Sequence, residues 1–211
     1  MIIYGPKARF AAQKGNIRDL RPVWLLEELG VPYEHRLIDS AKGGNETPEF
    51  VRMNPFKRFP VMVDGDLTLF ESAAICLHIA DKHGRFVPPP KTRERSLHNQ
   101  WLFAAVATLE QHVYAIVRAD LFMPQDGTAD AFRAVAEKSL QVPLAAVDRH
   151  LAERSFLVGD DFTVADLTMS AAVFHAHRKG LLGGFPELTK YLERMYARPA
   201  YQRALARNGG I

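Results

Sequence analysis

Residues 54–75 read Asn54-Pro55-Phe56-Lys57-Arg58-Phe59-Pro60-Val61-Met62-Val63-Asp64-Gly65-Asp66-Leu67-Thr68-Leu69-Phe70-Glu71-Ser72-Ala73-Ala74-Ile75. Pro60 to Val63 and Thr68 to Phe70 have the residue types of two short strands, joined through Asp64-Gly65, a strong hairpin signal. A helix is predicted to open at about Ser72 and to run to His83. The stretch is therefore a β-hairpin that feeds directly into a helix.

Upstream, residues 1–4 read as a buried strand and residues 5–19 as a long polar connection. Arg21 to Gly30 reads as a helix: Pro22 suits a first turn, Val23, Leu25, Leu26 and Leu29 form an apolar face, and Gly30 ends it. Tyr33 to Ile38 reads as a second strand, and Thr47-Pro48-Glu49-Phe50 as the start of a short helix. The order β-α-β-α-β-β-α is that of a thioredoxin-like domain. Downstream, Pro88-Pro89-Pro90 is stiff and extended, which places a linker at 85–92 between a domain at 1–84 and a second at 93–211. There the apolar residues recur at helical spacing from Leu97 through Trp101, Ala105, Leu109, Val113 and Ile116. Further helices are predicted at 128–152 (with a kink at Pro143), 163–178, 186–197 and 199–207. The expected fold class is an α/β N-terminal domain followed by an all-α C-terminal domain.

Composition limits the function classes. The 211 residues carry 27 Lys+Arg against 24 Asp+Glu, a net charge of +3. The charges are interleaved: residues 1–90 hold 12 basic and 11 acidic groups, and residues 91–211 hold 15 and 13. No basic cluster of nucleic-acid-binding density exists, so no nucleic-acid partner is expected. No run approaches the roughly 18 apolar residues of a membrane span, so no membrane partner is expected either. Met1 to Pro6 lacks the charged start and long apolar core of a signal peptide, and the expected location is cytoplasmic. The single cysteine, Cys76, excludes an internal disulfide and a multi-cysteine metal site. His175 and His177, two apart on a helix, face different directions; no metal is expected.

Four patterns occur in register along the chain: Trp24-Leu25-Leu26-Glu27-Glu28-Leu29-Gly30-Val31-Pro32-Tyr33-Glu34; Asn54 to Val61; Leu69-Phe70-Glu71-Ser72-Ala73-Ala74-Ile75; and, after Gly159, Phe162-Thr163-Val164-Ala165-Asp166. In this order and spacing they resemble the cytosolic glutathione S-transferase superfamily, and the resemblance covers essentially the whole chain. It implies the glutathione S-transferase fold, glutathione as co-substrate, a small electrophile or peroxide as second substrate, and a homodimer in which Phe56 is a candidate interface key. It also implies a cis Phe59–Pro60 bond that turns the Phe59 backbone toward the cysteinyl part of glutathione. Ser72, at a helix start, suits the γ-glutamyl carboxylate and Glu71 its ammonium, although Ser72 reads equally as a helix N-cap. Thr163 and Asp166 have capping-box spacing and read as structural.

The catalytic position departs from the family's pattern. Glutathione chemistry needs a thiolate, and members of the superfamily stabilise it with Tyr or Ser, or use Cys. Gly5 to Trp24 contains no serine, threonine, tyrosine or cysteine. Asn16 falls where serine-type members place the hydroxyl, and an amide N–H can donate to a thiolate; it is the leading candidate, against an ordinary Gly15-Asn16 turn. Tyr4 is the runner-up. Lys7, Arg9, Lys14 and Arg18 add positive charge nearby. Asn45 and Arg58 are candidates for the glycyl end of glutathione. Tyr114 and Arg118 are candidates for the second-substrate pocket, with His112 and Phe122 on the same segment. The reading is a glutathione transferase. A non-catalytic ligand-binding or protein-interaction module of the same fold, and a glutathione-dependent isomerase or ether-cleaving enzyme, stay open.

Overall fold

The computed structural model describes residues 1–7, 17–124 and 126–207. The chain forms two compact units, residues 1–87 together with 196–211, and residues 88–195.

The first unit is built on a four-stranded sheet of β1 (Ile2–Pro6), β2 (Glu34–Ile38), β3 (Val61–Asp64) and β4 (Leu67–Phe70), in the order β2-β1-β3-β4. β1 runs parallel to β2 and antiparallel to β3, and β3 and β4 form the hairpin expected at Asp64-Gly65. Helix α1 (Leu20–Leu29) crosses over between β1 and β2. It ends where Gly30 adopts φ 69° and returns its N–H to the Leu26 carbonyl, a left-handed cap that costs glycine no Cβ clash. All its residues from Leu20 to Glu27 are buried, more than one amphipathic face would hide, so α1 is packed on several sides. A short helix α2 (Pro48–Met53) starts on the Thr47 cap, and α3 (Ser72–His83) follows the hairpin.

The last helix, α9 (Pro199–Arg207), packs on α1. The domain reading groups it with 93–211; the packing groups residues 196–211 with the first unit instead. Tyr201 meets Trp24 edge-on at 4.8 Å. Arg198 grips Glu28 at 2.6 and 3.0 Å. Arg203 and Arg207 reach Glu27 at 2.9 and 2.6 Å, and the Tyr33 hydroxyl donates to the same carboxylate at 2.7 Å. Burial pushes the Glu27 carboxyl up, but Tyr33 and the two arginines outweigh it and hold it below its ordinary range.

The second unit contains α4 (Arg93–Phe103), α5 (Glu110–Leu121), α6 (Gly127–Leu151), α7 (Val164–Arg178) and α8 (Pro186–Tyr196). The predicted helix from Thr92 to Leu121 is interrupted by a π-helical segment, Ala104–Leu109. α6 runs unbroken through Pro143. Every residue of α7 from Val164 to Ser170 is buried, and the polar Asp166 and Ser170 among them are hydrogen-bonded, as burial requires. Asp120 on α5 ties three helices together through Arg133 at 2.9 Å, His175 at 3.4 Å and Lys179. Among the described residues, no helix is long and apolar enough to cross a membrane.

Candidate functional site

The strand register gathers three chain segments at one edge of the sheet. Val61 stands opposite Phe70, so Pro60 and Glu71 adjoin across the open end of the hairpin. Tyr4 stands opposite Val61, so β1 leaves through Gly5 and Pro6 by that same edge. The Phe59–Pro60 bond there is cis, as the resemblance implies. Its approach is held by Asn54, only 3% exposed. The Asn54 side chain donates to the Arg58 carbonyl at 2.8 Å and accepts from the Phe56 N–H at 3.0 Å. Asn45 donates to the Lys57 carbonyl at 2.9 Å, and the Phe59 ring packs on Phe50 at 4.8 Å.

Helix α3 begins at this edge. Its N-cap is Glu71, not Ser72, at φ 73° and ψ 112°, and no side chain caps the helix. A positive φ is disfavoured for any residue with a Cβ, and such residues concentrate at functional positions. The first N–H groups of a helix have no partner within it, and the dipole there favours an anion. Ser72 is buried and its Oγ accepts a hydrogen bond from Arg21 Nη1 at 2.9 Å. Arg21, in the first turn of α1, is itself 3% exposed. One turn along α3, burial pushes the Cys76 thiol up to about 12, with the Arg21 charge pulling the other way. Cys76 stays a neutral core residue and supplies no thiolate.

A second buried carboxylate lies at the start of α1. Asp19 is fully buried, and its Oδ2 sits 2.9 Å from His35 Nε2 on β2. Gly5 makes room for the pair: a Cβ there would come within 2.0 Å of Asp19 Oδ2 and 2.8 Å of His35 Nε2. Burial raises the Asp19 carboxyl above its ordinary range, and the His35 contacts oppose this. The start of α1 therefore lies on the Gly5 face of β1.

The sequence candidates fall as follows. Asn16 lies outside the described residues, as do Arg9 and Lys14. Tyr4 occupies the middle of β1, and strand alternation turns it to the face opposite Ile3 and Gly5. Its hydroxyl accepts from Arg36 Nη1 at 2.9 Å, and the guanidinium lies over its ring at 5.3 Å. Arg58 is exposed beside the cis bond, and Phe56 is 66% exposed with its ring edge against Phe70 at 5.7 Å. In the second unit, Tyr114 and Arg118 both lie on the exposed side of α5. Among the described residues, no group of His, Cys, Asp and Glu could hold a metal ion. Sequence reasoning misses Arg21 and Asn54. A charged residue before Pro22 reads as a solvated helix start, and an Asn-Pro pair reads as an ordinary turn.

Comparison with known proteins agrees with this geometry. The glutathione S-transferase N-terminal domain matches residues 13–81 and the C-terminal domain matches residues 110–199. Glutathione S-transferase 3 of Zea mays is 32% identical over 197 residues, 89% of this chain and 88% of its own. Disulfide-bond oxidoreductase YfcG of Escherichia coli (strain K12) is 30% identical over 190 residues, 85% of this chain and 86% of its own. A solved structure of Ure2p in complex with glutathione superposes with a TM-score of 0.83 at 25% identity, over 97% of this chain and 90% of that one. With its mixed four-stranded sheet, its helical second unit and matches along both, the chain belongs to the glutathione S-transferase family.

Proposed function

We propose that the chain is a glutathione transferase that holds glutathione at the sheet edge and presents it as a thiolate to a small electrophile. The observation that carries this reading is the meeting of the cis Phe59–Pro60 entry, Glu71 and the uncapped start of α3 at one edge. Each end of the tripeptide finds matching chemistry there. The γ-glutamyl α-carboxylate sits on the α3 N-terminus and Ser72; its α-ammonium pairs with Glu71; the cysteinyl backbone pairs with the Phe59 N–H and C=O. Arg58 and Asn45 serve the glycyl end, Asn45 with one of its N–H bonds already spent on Lys57.

The sulfur then lies toward the start of α1, whose dipole favours an anion. Asn16 remains the leading donor to the thiolate. Tyr4 is disfavoured by its bond to Arg36 and by its face of the strand. The thiolate attacks the electrophilic carbon, a C–S bond forms, and the leaving group departs with its electron pair. Holding both reactants together supplies much of the rate. Tyr114 and Arg118 are assigned to the second substrate, and Phe56 to a homodimer contact.

A second reading is favoured by the similarity to a protein named as a disulfide-bond oxidoreductase. With Cys76 buried and neutral, both reducing thiols in such a reaction come from glutathione. Two glutathione molecules reduce one disulfide to two thiols and leave as glutathione disulfide. One assay separates the readings: the purified chain is given glutathione with 1-chloro-2,4-dinitrobenzene, or with bis(2-hydroxyethyl) disulfide. Thioether formation supports the transferase, and glutathione disulfide formed in step with disulfide loss supports the second reading. No binding at millimolar glutathione overturns both.

A further inference from the structure

We propose that Arg21 is a positioning residue of this site. Through Ser72 it selects ligands that carry a free α-carboxylate at the γ-glutamyl end. The inference rests on the glutathione reading above and assigns a role within it to a residue on a different element.

A guanidinium has only donors. In the 2.9 Å contact between Arg21 Nη1 and Ser72 Oγ, the serine is therefore the acceptor, and its own proton must point elsewhere. Ser72 is the first residue of α3, so no helix carbonyl four residues back lies beneath it to take that proton, the usual sink for a serine inside a helix. Among the described residues, the Ser72 hydroxyl donates to no acceptor. With one lone pair taken by Arg21, the hydroxyl keeps its proton to give, at the same helix end whose first N–H groups are uncapped. The Ser72 hydroxyl and the first helix N–H groups all offer protons, and an acceptor-only group such as a carboxylate matches them, with the Glu71 carboxylate beside it for an ammonium.

Arg21 also supplies charge. At 3% exposure its field is weakly screened, so it acts more strongly on a neighbouring anion than a surface arginine would. The same field reaches Cys76 one turn further on, where it opposes the rise of the thiol. A carboxylate docked on Ser72 stands on the far side of the hydroxyl from the guanidinium and gains both a charge-polarised hydrogen bond and the field behind it.

The test compares two ligands by calorimetry on the full chain: glutathione, and γ-aminobutyryl-cysteinyl-glycine, which lacks only the α-carboxylate. The wild type should prefer glutathione. In R21M that preference should fall at least tenfold, through weaker glutathione binding, with the affinity for the analogue held within about threefold. R21K, which keeps a charged donor, should restore part of it. A folded R21M with the wild-type preference overturns the role of Arg21, since a purely structural tie between α1 and α3 would lower the melting temperature and leave ligand discrimination alone. Should R21M fail to fold, the guanidinium ¹⁵N resonances of Arg21 in the wild type decide: glutathione should move them and the analogue should not, and equal shifts overturn the proposal. A wild type that binds neither ligand overturns the glutathione reading itself, an outcome distinct from binding without discrimination.

Discussion

Helices α3 and α7 begin in opposite ways. At α7, Asp166 is fully buried and accepts from the Thr163 N–H at 2.9 Å, the Thr163 hydroxyl at 2.8 Å, the Leu157 N–H at 2.8 Å and the Tyr191 hydroxyl at 3.0 Å. The helix start is closed by the chain's own side chains, on the capping-box spacing of Thr163 and Asp166. At α3 the N-cap residue is Glu71, held at positive φ with its carboxylate turned out to solvent, and the one buried hydroxyl faces an arginine that can only donate. Both starts carry a hydroxyl and a carboxylate. They differ in whether the acceptor is supplied from within. Where it is, the residues are part of the fold; where it is not, the helix start is open to an acceptor from outside.

Breaking the closed start should have the largest effect. D166A removes the acceptor of four donors and leaves buried N–H and O–H groups unpaired, which should cost about 3 kcal/mol or more. Urea denaturation measures it, and a loss under about 1 kcal/mol would mean that the box is not structural. Next, at the open start, E71Q and S72A should each weaken glutathione by about 1–3 kcal/mol, as for a lost hydrogen bond to a charged group. E71Q should unfold within about 0.5 kcal/mol of wild type, the range of surface substitutions, whereas S72A, which also removes the buried acceptor of Arg21, should cost about 1 kcal/mol. A large stability loss with unchanged affinity would make the two helix starts alike. A smaller effect separates strain from chemistry at Glu71. E71G and E71A both delete the carboxylate, but only glycine tolerates φ 73° freely, so E71G should be the more stable of the two by about 1 kcal/mol. The reverse order would show that the backbone there is unstrained.

The smallest effect is an acid-limb control away from both starts. Burial pushes the Asp120 carboxyl up, but Lys179, His175 and Arg133 outweigh it and hold it below its ordinary range. The sign follows from the lowered value. The network's contribution is full above the unfolded carboxylate range, near about pH 4, and is lost as pH falls through the folded value. D120N should therefore flatten the acid side of the stability profile. An acid limb as steep as that of wild type would remove Asp120 from the account.

How much was legible in the residues differs between the same two regions. Thr163-Val164-Ala165-Asp166 declares its capping box in the sequence because both partners sit within one turn. The hairpin and the cis Phe59–Pro60 follow from local turn chemistry and from family resemblance. The true start of α3 was not legible: a serine after a glutamate suggests an N-cap at Ser72, and nothing in a non-glycine residue announces positive φ at Glu71. Arg21 was hidden because its partner lies 51 positions away, beyond any local pattern. The π-helical Ala104–Leu109 has no composition that sets it apart from an α-helix. Helix α9 was visible as a helix, but not its destination, since its arginines find Glu27 and Glu28 more than 160 residues upstream.

That destination has a consequence for the order of synthesis. The covering of Trp24 and the ion partners of Glu27 come from Tyr201, Arg203 and Arg207, which leave the ribosome only after all of residues 88–195 have emerged. The unit that begins the chain is thus the last to be completed, and the second unit has its whole sequence available first. Domains tend to fold as units while the chain is being made. Here the apolar face of α1 must wait uncovered for its closing helix. Removal of the chain beyond Tyr196 would strike the first unit and leave the sequence of the second nearly intact.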